Sequence, residues 1–267
     1  MKRIVLPDEL KSSDPLAFLC RADEQGLLIG PDETFEAFCS RLERLFRELP
    51  KNLPAGLPEA SDSVRENAAE ITHELYGFRT DWLPAYYSTQ ETGHFSAGVS
   101  LIADNVLPLV CLSGAFLKKK KHCGYTAEET LAHECVHAAR IAFPDKSDYD
   151  EYFPCQVHKS KFRQLAGNLF RRWQIPAIFF IGLTISVLNP FLLVFPLLVL
   201  LAEIRLHWQI RSAAKKIHSL GLRPASVLVR LSDSEIRTLA AGKLPPCLAD
   251  ESSLRYRLFF HRFSVHE

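Results

Sequence analysis

"TLAHECVHAARIAF", Thr130 to Phe143, is an apolar stretch carrying two histidines and one glutamate. Thr126 is followed three residues later by Glu129, the spacing of a capping box at a helix start. Pro144 cannot continue a helix and restricts the residue before it. The spacing therefore predicts a helix running to about Ala142 with His133, Glu134 and His137 inside it.

Working outward on the N-terminal side, Tyr86 to Phe116 is richer in Val, Ile, Leu, Phe and Ser. "HFSAGVSLIA" and "VLPLVCLSGAF" predict two short strands joined by a turn at Asp104-Asn105. Pro108 lacks a donor and points to an edge position for the second strand. Lys118–Lys121 form a connector expected to be a solvated surface. Before the strands, Phe35, Phe38, Leu42, Leu45, Phe46 and Leu49 recur at helical spacing. A second helix follows, with Val64, Ala68, Ile71 and Leu75 on one stripe and His73 off it, an exposed position.

On the C-terminal side, Ile175 to Ala202 contains 28 residues without a charge. About 20 apolar residues span a bilayer as a helix. Asn189-Pro190 falls mid-run, however, and Pro196 adds a second expected break. The alternative is a hairpin with arms of roughly 20 Å at helical rise, too short to cross a core of ~30 Å. Lys159, Lys161, Arg163, Arg171 and Arg172 lie upstream, and Arg205, Arg211, Lys215 and Lys216 downstream. Basic flanks at both ends favour both on the cytoplasmic side, which fits a hairpin better than a span. Trp173 and Trp208 bracket the run as interfacial anchors would. "EIRLHWQIRSAAKKIHSL" then predicts a basic amphipathic helix near the headgroups. "LSDSEIRTLAAG" has a Ser232/Glu235 capping box and is closed by Gly242. The tail "LRYRLFFHRFSVHE" is expected to pack on its own domain.

Composition bounds the rest. The 267 residues are 47% hydrophobic and 24% charged, a balance typical of a folded chain. A net charge of +1 creates no global field favouring nucleic acid, and none is expected as a partner. Seven scattered cysteines, an odd number, argue for a reducing compartment and against a disulfide framework. "MKRIVLPDELKSSDP" has no apolar run after its basic start, so no cleavable signal is expected.

Residues i and i+4 of a helix lie on one face. His133 and His137 can thus aim their imidazoles at one ion, and zinc accepts such ligands. Glu134, offset around the helix, can take a proton from an activated water without ligating. That is the physical content of the H-E-x-x-H pattern. Cys135 points the wrong way for a ligand and is expected to be a small buried residue. The C-x-x-H pair Cys155 and His158 is weak as a metal motif.

With Thr130, Leu131, Ala132, Cys135, Val136, Ala138 and Ala139 around the motif, the segment from roughly Tyr86 to Leu169 resembles the zincin superfamily of metallopeptidases. The resemblance implies an α+β fold in which an edge strand beside the active-site helix holds the substrate. It also implies zinc held by His133 and His137, with Glu134 as general base. Arg140 and Phe143 stand where the metzincin subgroup has Gly and His, which excludes that subgroup. In gluzincins the third ligand is a Glu from the next helix, which makes Glu151 the first choice. Pro154 restricts that helix to starting near Glu151, so Asp148, Asp150 and His158 stay open, an aspartate giving an aspzincin-like site. Arg140 would pair with one of these acids or with a surface partner. Tyr125, Tyr149, Tyr152 and His158 are candidate oxyanion donors.

The expected organisation is an N-terminal helical region (1–84), a zincin-like core (85–170), a hydrophobic membrane hairpin or span (175–202) and a C-terminal basic helical region (203–267). The expected function is a membrane-associated zinc metallopeptidase, its soluble parts cytoplasmic, acting on a peptide or protein and contacting lipid. The alternatives are an inactive membrane-anchored scaffold with the same domain, and a hydrolase of non-peptide amides or esters.

Overall fold

The computed structural model describes residues 14–93, 96–103, 107–143, 149–167 and 174–265. The first part runs α1 (Pro15–Glu24), α2 (Phe35–Glu48), α3 (Asp62–Tyr76), β1 (Ala85–Tyr87), α4 (Thr89–Thr92), β2 (Gly98–Ala103), β3 (Leu107–Leu112) and α5 (Ala127–Ala139). There follow α6 (Tyr152–Gln156), α7 (Lys161–Ala166), α8 (Gln174–Ile185), α9 (Val194–His218), α10 (Pro224–Leu228), α11 (Asp233–Ala240), α12 (Pro246–Ala249) and α13 (Leu254–Phe263). The fold is mixed α and β, mostly helical, with one small sheet among the described residues.

The capping box opens α5 as its sequence predicts. Thr126 Oγ1 accepts from the Glu129 N–H at 3.2 Å, and Glu129 Oε2 accepts from the Thr126 N–H at 3.3 Å. The helix ends at Ala139, three residues short of the expected Ala142, and the chain turns through Arg140–Ala142. One side of α5 packs on α3 and the other on β2 and β3. Ala68, Ala69 and Thr72 on α3, with Ala132, Cys135 and Ala139 on α5, are small and buried, which lets the two helices approach closely. His73 of α3 is exposed.

The sheet order is β1-β3-β2, with β1 parallel and β2 antiparallel to β3. The strand with Pro108 is therefore central, not an edge. The reason lies in strand length: β1 pairs only with Val110, Cys111 and Leu112, so it stops short of Pro108. Pro108 is opposite Ile102 of β2 and, among the described residues, has no partner strand on its other side, where a missing donor costs little. The edge beside the cleft falls to β2. The predicted turn residues Asp104-Asn105 lie outside the described residues.

The apolar run folds as a helical hairpin. α8 has 12 residues, about 18 Å at helical rise. Asn189 Oδ1 caps the turn by accepting from the Phe191 N–H at 3.1 Å, and Pro190 begins a 3-10 turn through Leu193. Gly182 allows the arms to touch, since a Cβ there would lie 2.9 Å from Pro196 Cδ. Pro196 does not break the second arm. It occupies the first turn of α9, where a helix has no use for its missing N–H. Pro190–His218 is long and apolar enough to cross a membrane by length and composition. Trp173, with Arg171 and Arg172, lies outside the described residues.

The basic amphipathic segment differs from expectation. It is the second half of the 25-residue α9, continuous with the apolar arm. Its stripe of Leu206, Ile210, Ala213 and Ile217 is buried in the protein core instead of facing headgroups. The same core extends from Phe18 in α1 to Phe263 in α13, so the tail packs on its own protein. Buried charge ties these ends together. Asp23 accepts from Arg230 at 2.6 and 2.8 Å and also pairs with Arg262.

Candidate metal centre

α5 presents His133 and His137 on one face, with ring centroids 5.0 Å apart. Glu151 stands at the N-cap position of α6, and its two carboxylate oxygens divide between the rings. Oε2 lies 3.3 Å from His133 Nε2, and Oε1 lies 3.5 Å from His137 Nε2. These separations are long for charge-assisted hydrogen bonds, which run about 2.7–2.9 Å. They are of the size expected between ligand atoms that share an ion, since ligands each about 2.0–2.1 Å from it stand about 3.3 Å from one another. His133, His137 and Glu151 each offer one ligand atom, all within 4.8 Å of one another. Two nitrogens and a carboxylate oxygen form a donor set suited to zinc, with room left for a water or substrate.

The surrounding groups hold this set in place. Asp150 Oδ1 is 3.6 Å from His137 Nδ1, so Asp150 backs a histidine instead of joining Glu151 at the centre. On the other side, His158 Nε2 lies 3.3 Å from His133 Nδ1. Burial pushes His158 down to about 4. Burial pushes the Glu151 carboxyl up, but its hydrogen bonds with His133 and His137 outweigh this and hold it well below the ordinary range. Burial likewise disfavours a charged His137, yet Asp150 and Glu151 raise it to about 10. Anionic oxygens facing two ring nitrogens need positive charge between them, supplied by protons or by a cation.

Glu134 projects beside this set, buried against β2. Ser100 Oγ donates to Glu134 Oε2 at 2.6 Å. Gly98 makes the approach of strand and helix possible, since a Cβ there would lie 2.6 Å from Thr130 Cγ2 and 3.3 Å from Glu134 Oε1. A cleft of ≈ 250 Å³ opens beside Gly98, Tyr125, His133, Glu134, Glu151 and His158. An adjoining cavity of ≈ 390 Å³ is bordered by Ser100, His137 and Asp150.

Of the four expected oxyanion donors, Tyr125 and His158 line the cleft, with ring centroids 4.6 Å apart. Tyr149 instead donates to Gln209 Oε1 at 2.8 Å, and Tyr152 packs on His207, both on α9. Asp148 lies outside the described residues. Cys135 is buried and belongs to neither group of candidate ligands, and burial pushes its thiol up to about 12. Cys155 and His158 form a second such group, which shares His133. Arg140 is 3% exposed and, among the described residues, donates to the carbonyls of Val229 and Leu231 at 2.6 and 3.1 Å. It also lies over the rings of Phe143 and Phe153, so it anchors the end of α5 to the C-terminal region. Ser100 and Gly98 carry no sequence signal of their own. Their roles follow from the register of β2 against α5.

The chain matches no protein-family model, no curated protein and no solved structure.

Proposed function

We propose that the protein is a membrane-associated, zinc-dependent metallopeptidase in which His133, His137 and Glu151 hold the metal. The observation that carries this reading is the Glu151 carboxylate, with one oxygen near each imidazole Nε2 at separations ordinary for atoms sharing an ion. Zinc bound by such a set supplies Lewis acidity and lowers the pKa of a bound water. Asp150 and His158 orient the two imidazoles through their second nitrogens. Glu134 accepts a proton from the attacking water and returns it to the departing amine. Ser100 holds the Glu134 carboxylate in place through their hydrogen bond. Tyr125, which lines the cleft, donates to the oxyanion that develops at the attacked carbonyl. The free side of β2 receives an extended peptide by backbone pairing, next to Glu134. The exposed apolar hairpin anchors the chain to lipid with the soluble parts cytoplasmic.

The test is Glu134→Gln. It should keep the metal and lose peptide cleavage by at least about a thousandfold, the scale of removing a general base together with its charge. An inactive scaffold would lose nothing by the same change. Cleavage of esters or small amides in preference to peptides would favour the non-peptide hydrolase.

A further inference from the structure

The six-residue helix α7 exposes Phe162 by 72% and Leu165 by 59%, beside the exposed Lys159 and Lys161. Single exposed apolar residues are ordinary on a protein surface. These two stand out because of what α7 touches. His207 Nε2–H donates to the Leu165 carbonyl at 2.9 Å. His207 is five residues beyond Ala202, the last residue of the uncharged run, which places α7 about 8 Å along the helix from the apolar boundary. At the same level α9 exposes Arg205, Trp208 and Arg211, the residue types of a headgroup layer. Deeper along the hairpin, Leu188 and Phe191 at its tip are 88% and 86% exposed.

The same helix braces residues that line the cleft. Arg163 lies 3.5 Å above the Tyr125 ring and donates to the Cys123 carbonyl at 2.9 Å. Gln164 donates to the His158 carbonyl at 2.7 Å. The segment bearing Glu151 is seated on α9 as well, through Tyr149 to Gln209 and Tyr152 to His207. α7 and the segment bearing Glu151 thus both rest on the two turns of α9 just past the apolar run, at most about 10 Å of helix.

We infer that the cleft opens at the headgroup layer of the bilayer that receives the hairpin, with Phe162 and Leu165 inserted at the interface. Its substrates are then membrane-anchored polypeptides, cut within about 15 Å of the bilayer surface, the reach of a headgroup layer plus one or two helix turns. The substrate class rests on the peptidase reading; the placement of α7 does not.

Photocrosslinking of the full chain tests the placement. Phe162→benzoylphenylalanine is compared, in phosphatidylcholine/phosphatidylglycerol vesicles, with the same replacement at Leu198 in the hairpin and at Glu43 on the outside of α2. Lipid adducts at 162 and 198, with none at 43, are expected. Adducts at 198 alone would overturn the interfacial placement. Crosslinks at 198 to a second copy in place of lipid would overturn the membrane assignment of the hairpin. The substrate class is read with one cleavable peptide anchored to vesicles through a short or a long spacer, about 10 or 60 Å. At least tenfold faster cutting on the short spacer is expected. Phe162→Glu/Leu165→Glu should abolish that preference while cleavage of the free peptide is unchanged. Equal rates would overturn the substrate class. Adducts at 162 with no cleavage of any peptide would overturn the peptidase reading and leave the placement of α7 standing.

Discussion

Ser100 on β2 donates a 2.6 Å hydrogen bond to Glu134 on α5, so the strand edge and the candidate base are mechanically one unit. A hydrogen bond to a charged group contributes about 1.5–3 kcal/mol. Ser100→Ala should therefore lower kcat by about 10- to 100-fold with little change in KM, because the proton acceptor is misplaced and the strand still binds. Steady-state kinetics on a peptide checks this. A change confined to KM would assign Ser100 to substrate binding.

Gly98 lies where strand and helix come closest, with Thr130 and Glu134 in the space a side chain would occupy. Gly98→Val should push β2 away from α5 and reduce cleavage sharply. The metal content should be unaffected, because the ligands stand on α5 and at the start of α6. Parallel metal analysis and activity assays separate the two effects.

Arg140 is predicted to be structural. Its guanidinium is buried between two phenyl rings and hydrogen-bonded to two carbonyls. Arg140→Ala leaves those carbonyls without their donor and removes the packing, at a cost of about 2–4 kcal/mol. Arg140→Lys should rescue little, since an ammonium lacks the planar fork and the stacking surface. Chemical denaturation measures both variants.

The Glu235–Arg255 pair, at 2.6 Å, gives a pH prediction. Burial pushes the Glu235 carboxyl up, but the hydrogen bond and charge of Arg255 outweigh it and hold it below the ordinary range of a glutamate. A folded-state pKa below the unfolded one means stabilisation that is complete above about 4.5 and lost as pH falls through the folded value. Glu235→Gln should cost about 1–3 kcal/mol at neutral pH, and the gap to wild type should close on acidification. Urea midpoints at several pH values read this directly.

Much of the centre is legible in the sequence because it depends on local spacing. A capping box, a terminating proline and an i, i+4 histidine pair place three side chains on one helix. The choice between Glu151 and Asp150 is not legible, because the chain path between α5 and α6 decides which acid returns to the imidazoles. Ser100 and Gly98 are hidden for a similar reason: they matter through a register that no single strand encodes. Pro108 and Pro196 mislead because the cost of proline depends on position. One pairs with β2 but has its missing donor on the side where β1 stops short, the other falls in a first helical turn. The apolar stripe of α9 has the pattern of an interfacial helix, yet tertiary packing against the core claims it.

The most direct measurement of the central claim is zinc stoichiometry by elemental analysis of the purified full chain and of His133→Ala, His137→Ala and Glu151→Ala. About one zinc per chain is expected in the wild type, with strong depletion in each of the three variants and full retention in Glu134→Gln. A wild-type chain that takes up no metal when zinc is supplied, or one whose metal content is indifferent to Glu151, would contradict that claim.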